Sequence, residues 1–268
     1  MGTVTSRPLA VVTGASAGIG LELAQQCVQH DFDLIICAQD DQGIAEAARH
    51  LSATGASVVP VAADLATYGG VEQLYSVITE TGRPIDALLL NAGIGVGGAF
   101  LNNDLEDELR VIALNCASVV HLAKRVIPHM VNRRQGRVLI TASVASPNPA
   151  PYLAVYGATK AFDLMFAEAL RNELQDTGVT VTALQPGATD TEFFERADME
   201  NTKVAQGKKD APEDVARAGF EAMMKGKDKV IAASLKSKIQ GIAGELLPET
   251  AKAALQATQT KPGSAKKH

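Results

Sequence analysis

The chain has 268 residues, enough for one α/β domain with a sizeable core. It is 46% hydrophobic but only 4% aromatic and has no Trp, so the core must be aliphatic and alanine-rich, as where helices pack closely on a parallel sheet. A net charge of −5 gives no footprint for an overall nucleic-acid binder, and neither a signal-peptide h-region nor an apolar run of about 18 residues is evident, so a cytoplasmic protein without a membrane span is expected.

In chain order, apolar runs predict seven strands: Leu9–Val12, Asp33–Ala38, Ser57–Ala62, Asp86–Leu90, Arg137–Ala142, Val179–Leu184 and Lys229–Ala232. Helical intervals separate them, with no internal repeat and no interdomain linker. Alternating strands and helices predict one α/β domain, a doubly wound parallel sheet covered on both faces. The longest helix starts near Leu105 and runs toward Asn132, with Pro128 near its end as a potential kink.

Chemistry-bearing residues fall at the ends of these strands. The first leads into Thr13-Gly14-Ala15-Ser16-Ala17-Gly18-Ile19-Gly20 and then a helix. Glycines let the backbone approach a ligand, and the free amides of a helix N-terminus favour an anion, so the turn can cradle a phosphate. Its spacing differs from Gly-x-Gly-x-x-Gly, and a plain tight turn fits equally well. Asp64 follows the third strand and reads as a helix N-cap, a ligand contact, or both. Asn91-Ala92-Gly93 ends a central strand, at the edge where open α/β sheets bind ligands. Ser143 follows the fifth strand and can donate to a carbonyl.

Tyr156 and Lys160 are four residues apart, on one face of a helix. A free tyrosine has a pKa of about 10. A fixed cation beside it is expected to lower that value, making the pair a candidate proton donor and acceptor.

Two segments lie outside the core pattern. Residues 188–212 are polar and irregular around Phe193-Phe194 and too long for an ordinary connection, which suggests a lid over a site. Residues 239–257 are weakly amphipathic and broken by Pro248, suited to cover the site, a second subunit or a membrane surface. From Thr258 the composition reads as a flexible, solvated tail whose removal should leave fold and rate unchanged. Cys27, Cys37 and Cys116 are unclustered and read as small buried hydrophobes in a reducing compartment. The five histidines form no metal-like set, and no metal is expected.

The glycine turn, Asp64-Leu65, Asn91-Ala92-Gly93, Asn115, Ser143, Tyr156, Lys160, Pro186-Gly187 and Thr189 occur in the order of the short-chain dehydrogenase/reductase family, which the chain resembles over roughly Leu9 to Ala232. The resemblance implies a Rossmann-type fold and hydride transfer between NAD(P)(H) and a ketone, aldehyde or secondary alcohol. Ser16 and the backbone near Ile19 would then face phosphate or ribose, Asp64 the adenine, Asn91 to Gly93 the ribose and nicotinamide, and Pro186, Gly187 and Thr189 the carboxamide. Tyr156 would be the acid and base, Ser143 its partner on the carbonyl, Lys160 the holder of ribose hydroxyls, and Asn115 the anchor of a water leading from Lys160 to solvent. Leu90 departs from the family, which usually has a second Asn there.

Gln39, at the end of the second strand, stands where relatives using the phosphorylated cofactor often carry Arg. Ala17 is not basic either, and Asp40 and Asp41 add negative charge, so the expectation leans to NAD(H). The substrate crevice would be lined by Val144, Ala145, Pro149, Tyr152, Gly95, Val96 and Phe193, suiting a neutral, partly hydrophobic small molecule. Alternatives on the same fold are a lyase resembling halohydrin dehalogenases, which lose the glycine cradle and carry Arg for the lysine, and a dinucleotide sensor lacking the tyrosine. The resemblance also implies a homodimer or homotetramer paired through 105–132 and 153–176.

Overall fold

Strand residues alternate between two apolar clusters. In β1 (Leu9–Thr13), Leu9 and Val11 enter one cluster while Ala10 and Val12 enter the other. A strand buried on both faces belongs inside a parallel sheet roofed by helices on each side. The computed structural model, which describes residues 7–232 and 248–265, has that sheet. Its strands are β1, β2 (Asp33–Ala38), β3 (Val58–Ala62), β4 (Ala87–Leu90), β5 (Gly136–Thr141), β6 (Val179–Pro186) and β7 (Lys229–Ala232), all parallel, ordered β3-β2-β1-β4-β5-β6-β7. The architecture is the expected doubly wound Rossmann type. Strand order reverses between β1 and β4, which opens a crevice at their C-terminal ends.

On one face lie α1 (Gly18–Gln29), α2 (Asp41–Ser52) and a later helix at Pro212–Met224. Ile44, Ala47, Ala48 and Leu51 of α2 are buried at helical spacing. The other face carries α3 (Tyr68–Glu80), then α4 (Leu105–Ile112), which passes through a π-helical turn (Ala113–Ala117) into α5 (Ser118–Asn132), and α6 (Ala154–Glu173). The helix continues through Pro128, and its irregularity lies at Asn115 instead. Residues 105–132 together are long and apolar enough to cross a membrane by length and composition alone, which no single apolar run in the sequence suggests. Leu122, Val126 and Met130 are packed into the sheet core, as in a core helix.

The 188–212 segment holds two short helices, α7 (Phe193–Arg196) and α8 (Lys203–Gln206), before α9 (Pro212–Met224). Phe194, Ala197, Met199 and Ala205 form a third apolar cluster with Ala150 and Leu153. Residues 239–247 of the amphipathic stretch lie outside the described residues. Beyond them, α10 (Glu249–Thr260) runs into the predicted tail. That tail is docked as far as Ala265. Thr260 is buried and donates to the Pro151 carbonyl (2.7 Å), Lys203 N–H donates to Ser264, and Ala265 N–H donates to the Asn201 carbonyl (3.0 Å). The polar composition concealed these contacts because main-chain carbonyls and hydroxyls make them.

Candidate active site

The turn from β1 into α1 is held open by its glycines. Gly14 and Gly18 have φ of +69° and +55°, which a side chain would strain. A Cβ on Gly14 would meet the Ala92 backbone at 2.9 Å, and one on Gly20 would collide with the Gly14 carbonyl. Ser16 and Ile19 sit within the turn and the first turn of α1, where free amides point outward. This is a backbone cradle that fits the pyrophosphate of a dinucleotide.

Thr13 couples the neighbouring strand end to this cradle. Its hydroxyl accepts from the N–H groups of Asn91 (3.0 Å) and Ala92 (3.1 Å), while Asn91 Nδ2 donates to the Thr13 carbonyl and Asn91 Oδ1 accepts from the Thr141 hydroxyl. Three adjacent strands, β1, β4 and β5, are thus joined at one level. Asn115 is fully buried in the π turn. Its Oδ1 accepts from Ile94 N–H (2.9 Å), and its Nδ2 donates to the Ile94 carbonyl and the Thr159 hydroxyl (each 2.9 Å). Both Asn115 donors are therefore engaged in fixing the β4 loop to α6.

Tyr156 and Lys160 lie on the inner side of α6 as their spacing predicts. Lys160 Nζ donates to the Thr141 carbonyl (2.7 Å) and to Asp163 Oδ2 (3.0 Å). Gly93 keeps the adjoining space clear, since a Cβ there would lie 3.3 Å from both Lys160 Nζ and Asn115 Oδ1. Ser143 is a hydrogen-bond partner of the Tyr156 phenol. Its loop is pinned by Ser146, which accepts from Ser143 N–H (3.0 Å) and donates to the Lys160 carbonyl (2.8 Å).

The electrostatics correct one expectation. The Tyr156 pKa is raised rather than lowered. Although part of the side chain is open to solvent, burial of the phenol is the largest cause. Lys160 and the Ser143 hydrogen bond pull the value down, and Asp163 pushes it up. Burial also pulls the Lys160 ammonium down, but Asp163, Tyr156 and Cys116 together more than offset it, so Lys160 stays charged.

At the far end of the crevice, Asp64 is not a helix N-cap. Thr67 caps α3 by accepting from Gly70 N–H, while Asp64 Oδ1 accepts from Ala66 N–H and from Arg110 (2.8 Å). Arg110 also donates to Gln39 Oε1 (3.0 Å), so one guanidinium joins the two side chains expected to meet adenosine. Leu65 is a core residue, leaving only its backbone for a ligand. Leu90 is likewise buried in the core, where an aliphatic side chain suits it better than a second Asn.

On the substrate side, Phe193 packs against Tyr156 with ring centroids 5.0 Å apart. Gly95 permits this approach, because a Cβ there would lie 2.8 Å from Phe193 and 3.3 Å from Tyr156. Val144 and Ala145 continue from Ser143, with Val144 N–H bonded to the Pro186 carbonyl (3.0 Å), and Val96 lies partly buried beside Gly95. Tyr152 has φ +61°, a sparsely populated conformation for this residue, and its carbonyl accepts from Gly98 N–H. Pro149 is exposed. Pro186 ends β6, Gly187 N–H is bonded to Ala232, and Thr189 is buried with its hydroxyl donating to the Gly187 carbonyl (3.0 Å). Among the described residues, no group of three His, Cys, Asp or Glu side chains is placed to hold a metal ion.

Thr13, Arg110, Ser146 and Asp163 were missed from sequence. Asp163 carried a signal, its helical spacing from Lys160. Arg110 carried none, since its partners are 46 and 71 residues away.

Comparison with known proteins agrees with this geometry. A family model described as short chain dehydrogenase matches residues 8–202. The ketoacyl reductase HetN of a Nostoc species is 28% identical over 187 residues, 70% of this chain and 65% of that protein, so the match spans a little under two thirds of the relative's length. An uncharacterized oxidoreductase of Staphylococcus epidermidis is 30% identical over 195 residues, 73% of this chain and 84% of that protein. Among solved structures, a short-chain dehydrogenase from Sphingobium yanoikuyae in complex with NADPH is similar with a TM-score of 0.78 and 28% identity, over 89% of this chain and 93% of that one. The sheet order, the glycine cradle and the Ser143–Tyr156–Lys160 cluster, together with the family match, show that the chain belongs to the short-chain dehydrogenase family.

Proposed function

We propose that the protein is an NAD(P)(H)-dependent oxidoreductase that interconverts a ketone or aldehyde with the corresponding alcohol. The observation that carries this reading is the convergence of Ser143, Tyr156 and Lys160 at the C-terminal edge of β5, beside a glycine cradle on β1. Gly14, Ser16, Gly18, Ile19 and Gly20 would hold the pyrophosphate, Asp64 and the Leu65 backbone the adenine, Gln39 the ribose, and Asn91 to Gly93 with Pro186, Gly187 and Thr189 the nicotinamide end. When bound, the cofactor supplies or accepts the hydride. Ser143 donates a hydrogen bond to the carbonyl oxygen and Tyr156 delivers its proton there. Lys160 keeps one N–H free for a ribose hydroxyl while the other two remain on Thr141 and Asp163. Asn115 holds the β4 loop and α6 in register.

A neutral, partly hydrophobic carbonyl suits Val144, Ala145, Tyr152, Gly95, Val96 and Phe193. NAD(H) is preferred because Asp40 and Asp41 oppose a 2′-phosphate and the nearby Arg110 is already shared between Asp64 and Gln39. Pairing with a second copy is supported by apolar side chains exposed on α4 and α6, among them Leu105, Leu109, Phe162 and Met165. A cytoplasmic location accompanies this reading.

The experiment is a fluorescence titration of the purified protein with NADH and with NADPH, followed by a carbonyl screen with the tighter one. Saturable binding and carbonyl-dependent oxidation of the cofactor are expected. Binding of neither would overturn the reading.

A further inference from the structure

Asp163 is an acid where a core helix needs none. It faces the sheet at 1% exposure, next to Leu164, which lies in the apolar core. One carboxylate oxygen is bonded to Lys160 Nζ, and the other, Oδ1, has no hydrogen-bond partner among the described residues. An ionised carboxylate is retained in such a place only when a charge pairs it. Tyr156, Lys160 and Asp163 follow at intervals of four and three residues and so stack along one stripe of α6. The titratable groups that interact with Asp163 are Lys160 and Tyr156 on its own helix and Cys116 from the π turn, while β5 contributes the Thr141 carbonyl to the same ammonium.

We propose that Asp163 is a positioning residue for the reaction: its carboxylate clamps the Lys160 ammonium against the Thr141 carbonyl and offsets the ammonium's field at Tyr156, so that the phenol keeps its proton to higher pH. The inference rests on the oxidoreductase reading above. An unopposed ammonium beside a phenol favours phenolate, the base that alcohol oxidation requires. A buried carboxylate on the far side of the ammonium cancels much of that field. The Cys116 thiol, pushed to about 11 chiefly by burial and then by Asp163, adds no charge near neutrality. Burial pushes the Asp163 carboxyl above its ordinary value against the pull of Lys160, so the ammonium is what holds the carboxylate charged beside a still-protonated phenol.

Asp163→Asn leaves the shape and removes the negative charge, so the Tyr156 phenol ionises at lower pH, by about one unit for the loss of one close charge. The alkaline limb of kcat/KM for carbonyl reduction, which needs the phenol, moves down by about one unit. The acid limb for alcohol oxidation moves down equally, so oxidation at pH 8 rises about tenfold. Asp163→Glu restores the wild-type profiles. A purely structural role for Asp163 would slow both directions at every pH and move neither limb, and that result overturns the proposal. A substrate-free measurement stands beside these variants. The phenolate difference spectrum between wild type and Tyr156→Phe reports Tyr156 alone, and the proposal requires wild-type ionisation no lower than the ordinary value of about 10. Ionisation below that ordinary value overturns it even if Asp163→Asn does not fold. Because this titration needs neither cofactor nor substrate, a protein that titrates as expected but turns over no carbonyl would count against the oxidoreductase reading and not against the charge coupling.

Discussion

The floor and the roof of the crevice are built by different means. The floor comprises the ends of β1, β4 and β5 and the inner stripe of α6. Ladder neighbours hold it, with Thr13 bonding across strands and Lys160 reaching the Thr141 carbonyl. The roof comprises 188–212 with α10. It is held by a small apolar cluster with Ala150 and Leu153 and by single contacts between remote segments, such as Thr260 to Pro151. In the proposed function, the chemistry would therefore sit where misplacement is costly, and substrate choice where local rearrangement is cheap. Removing Tyr156 or Lys160 from the floor should abolish function or folding, whereas changes in the roof should alter which substrate is accepted.

The sharpest way to break this comparison is to unpair the floor. Lys160→Ala leaves Asp163 buried without its cation, which should cost about 3–5 kcal/mol of stability as well as turnover. A denaturant midpoint close to wild type would mean that the pair is not a structural tie. In the roof, deleting residues from Thr258 onward removes the Thr260 and Ala265 anchors. It should cost only about 1–2 kcal/mol by the usual worth of such hydrogen bonds and raise KM more than it lowers kcat. Unchanged KM and melting temperature would restore the reading of a passive tail. A smaller effect is expected from Gly95→Ala. The added Cβ meets the ring edge of Phe193, a side chain that can swing away, so stability should hold while the ranking of carbonyl substrates changes. A large loss of stability there would show that the roof is as rigid as the floor.

The same contrast explains what was legible in the sequence. All seven strands were found to within two residues because each is a short apolar run between turn signals. Tyr156 with Lys160 was found because four-residue spacing is a local property of a helix. The rise in the Tyr156 pKa was not, because it depends on how deeply the phenol is buried and on Asp163, whose burial only the packed sheet defines. Arg110 was missed because two hydrogen bonds over long sequence separations leave no pattern in the chain. The docked tail was missed because composition describes how a segment meets water and says nothing of backbone carbonyls waiting elsewhere, here those of Pro151 and Asn201. Thr67 displaced Asp64 as the cap of α3 because its hydroxyl stands three residues before the Gly70 amide it bonds.

The central claim is that Tyr156 gives the proton in carbonyl reduction. Comparison of wild type with Tyr156→Phe tests it most directly, with cofactor-dependent carbonyl reduction and cofactor binding measured on the same preparations. The phenyl ring keeps the packing against Phe193 and removes only the hydroxyl. Loss of a general acid should lower the rate about a thousandfold, or about 4 kcal/mol of barrier, with cofactor affinity within a fewfold of wild type. A variant that retains its rate to within about tenfold, less than about 1.4 kcal/mol of barrier, would contradict the account and assign the proton to another group.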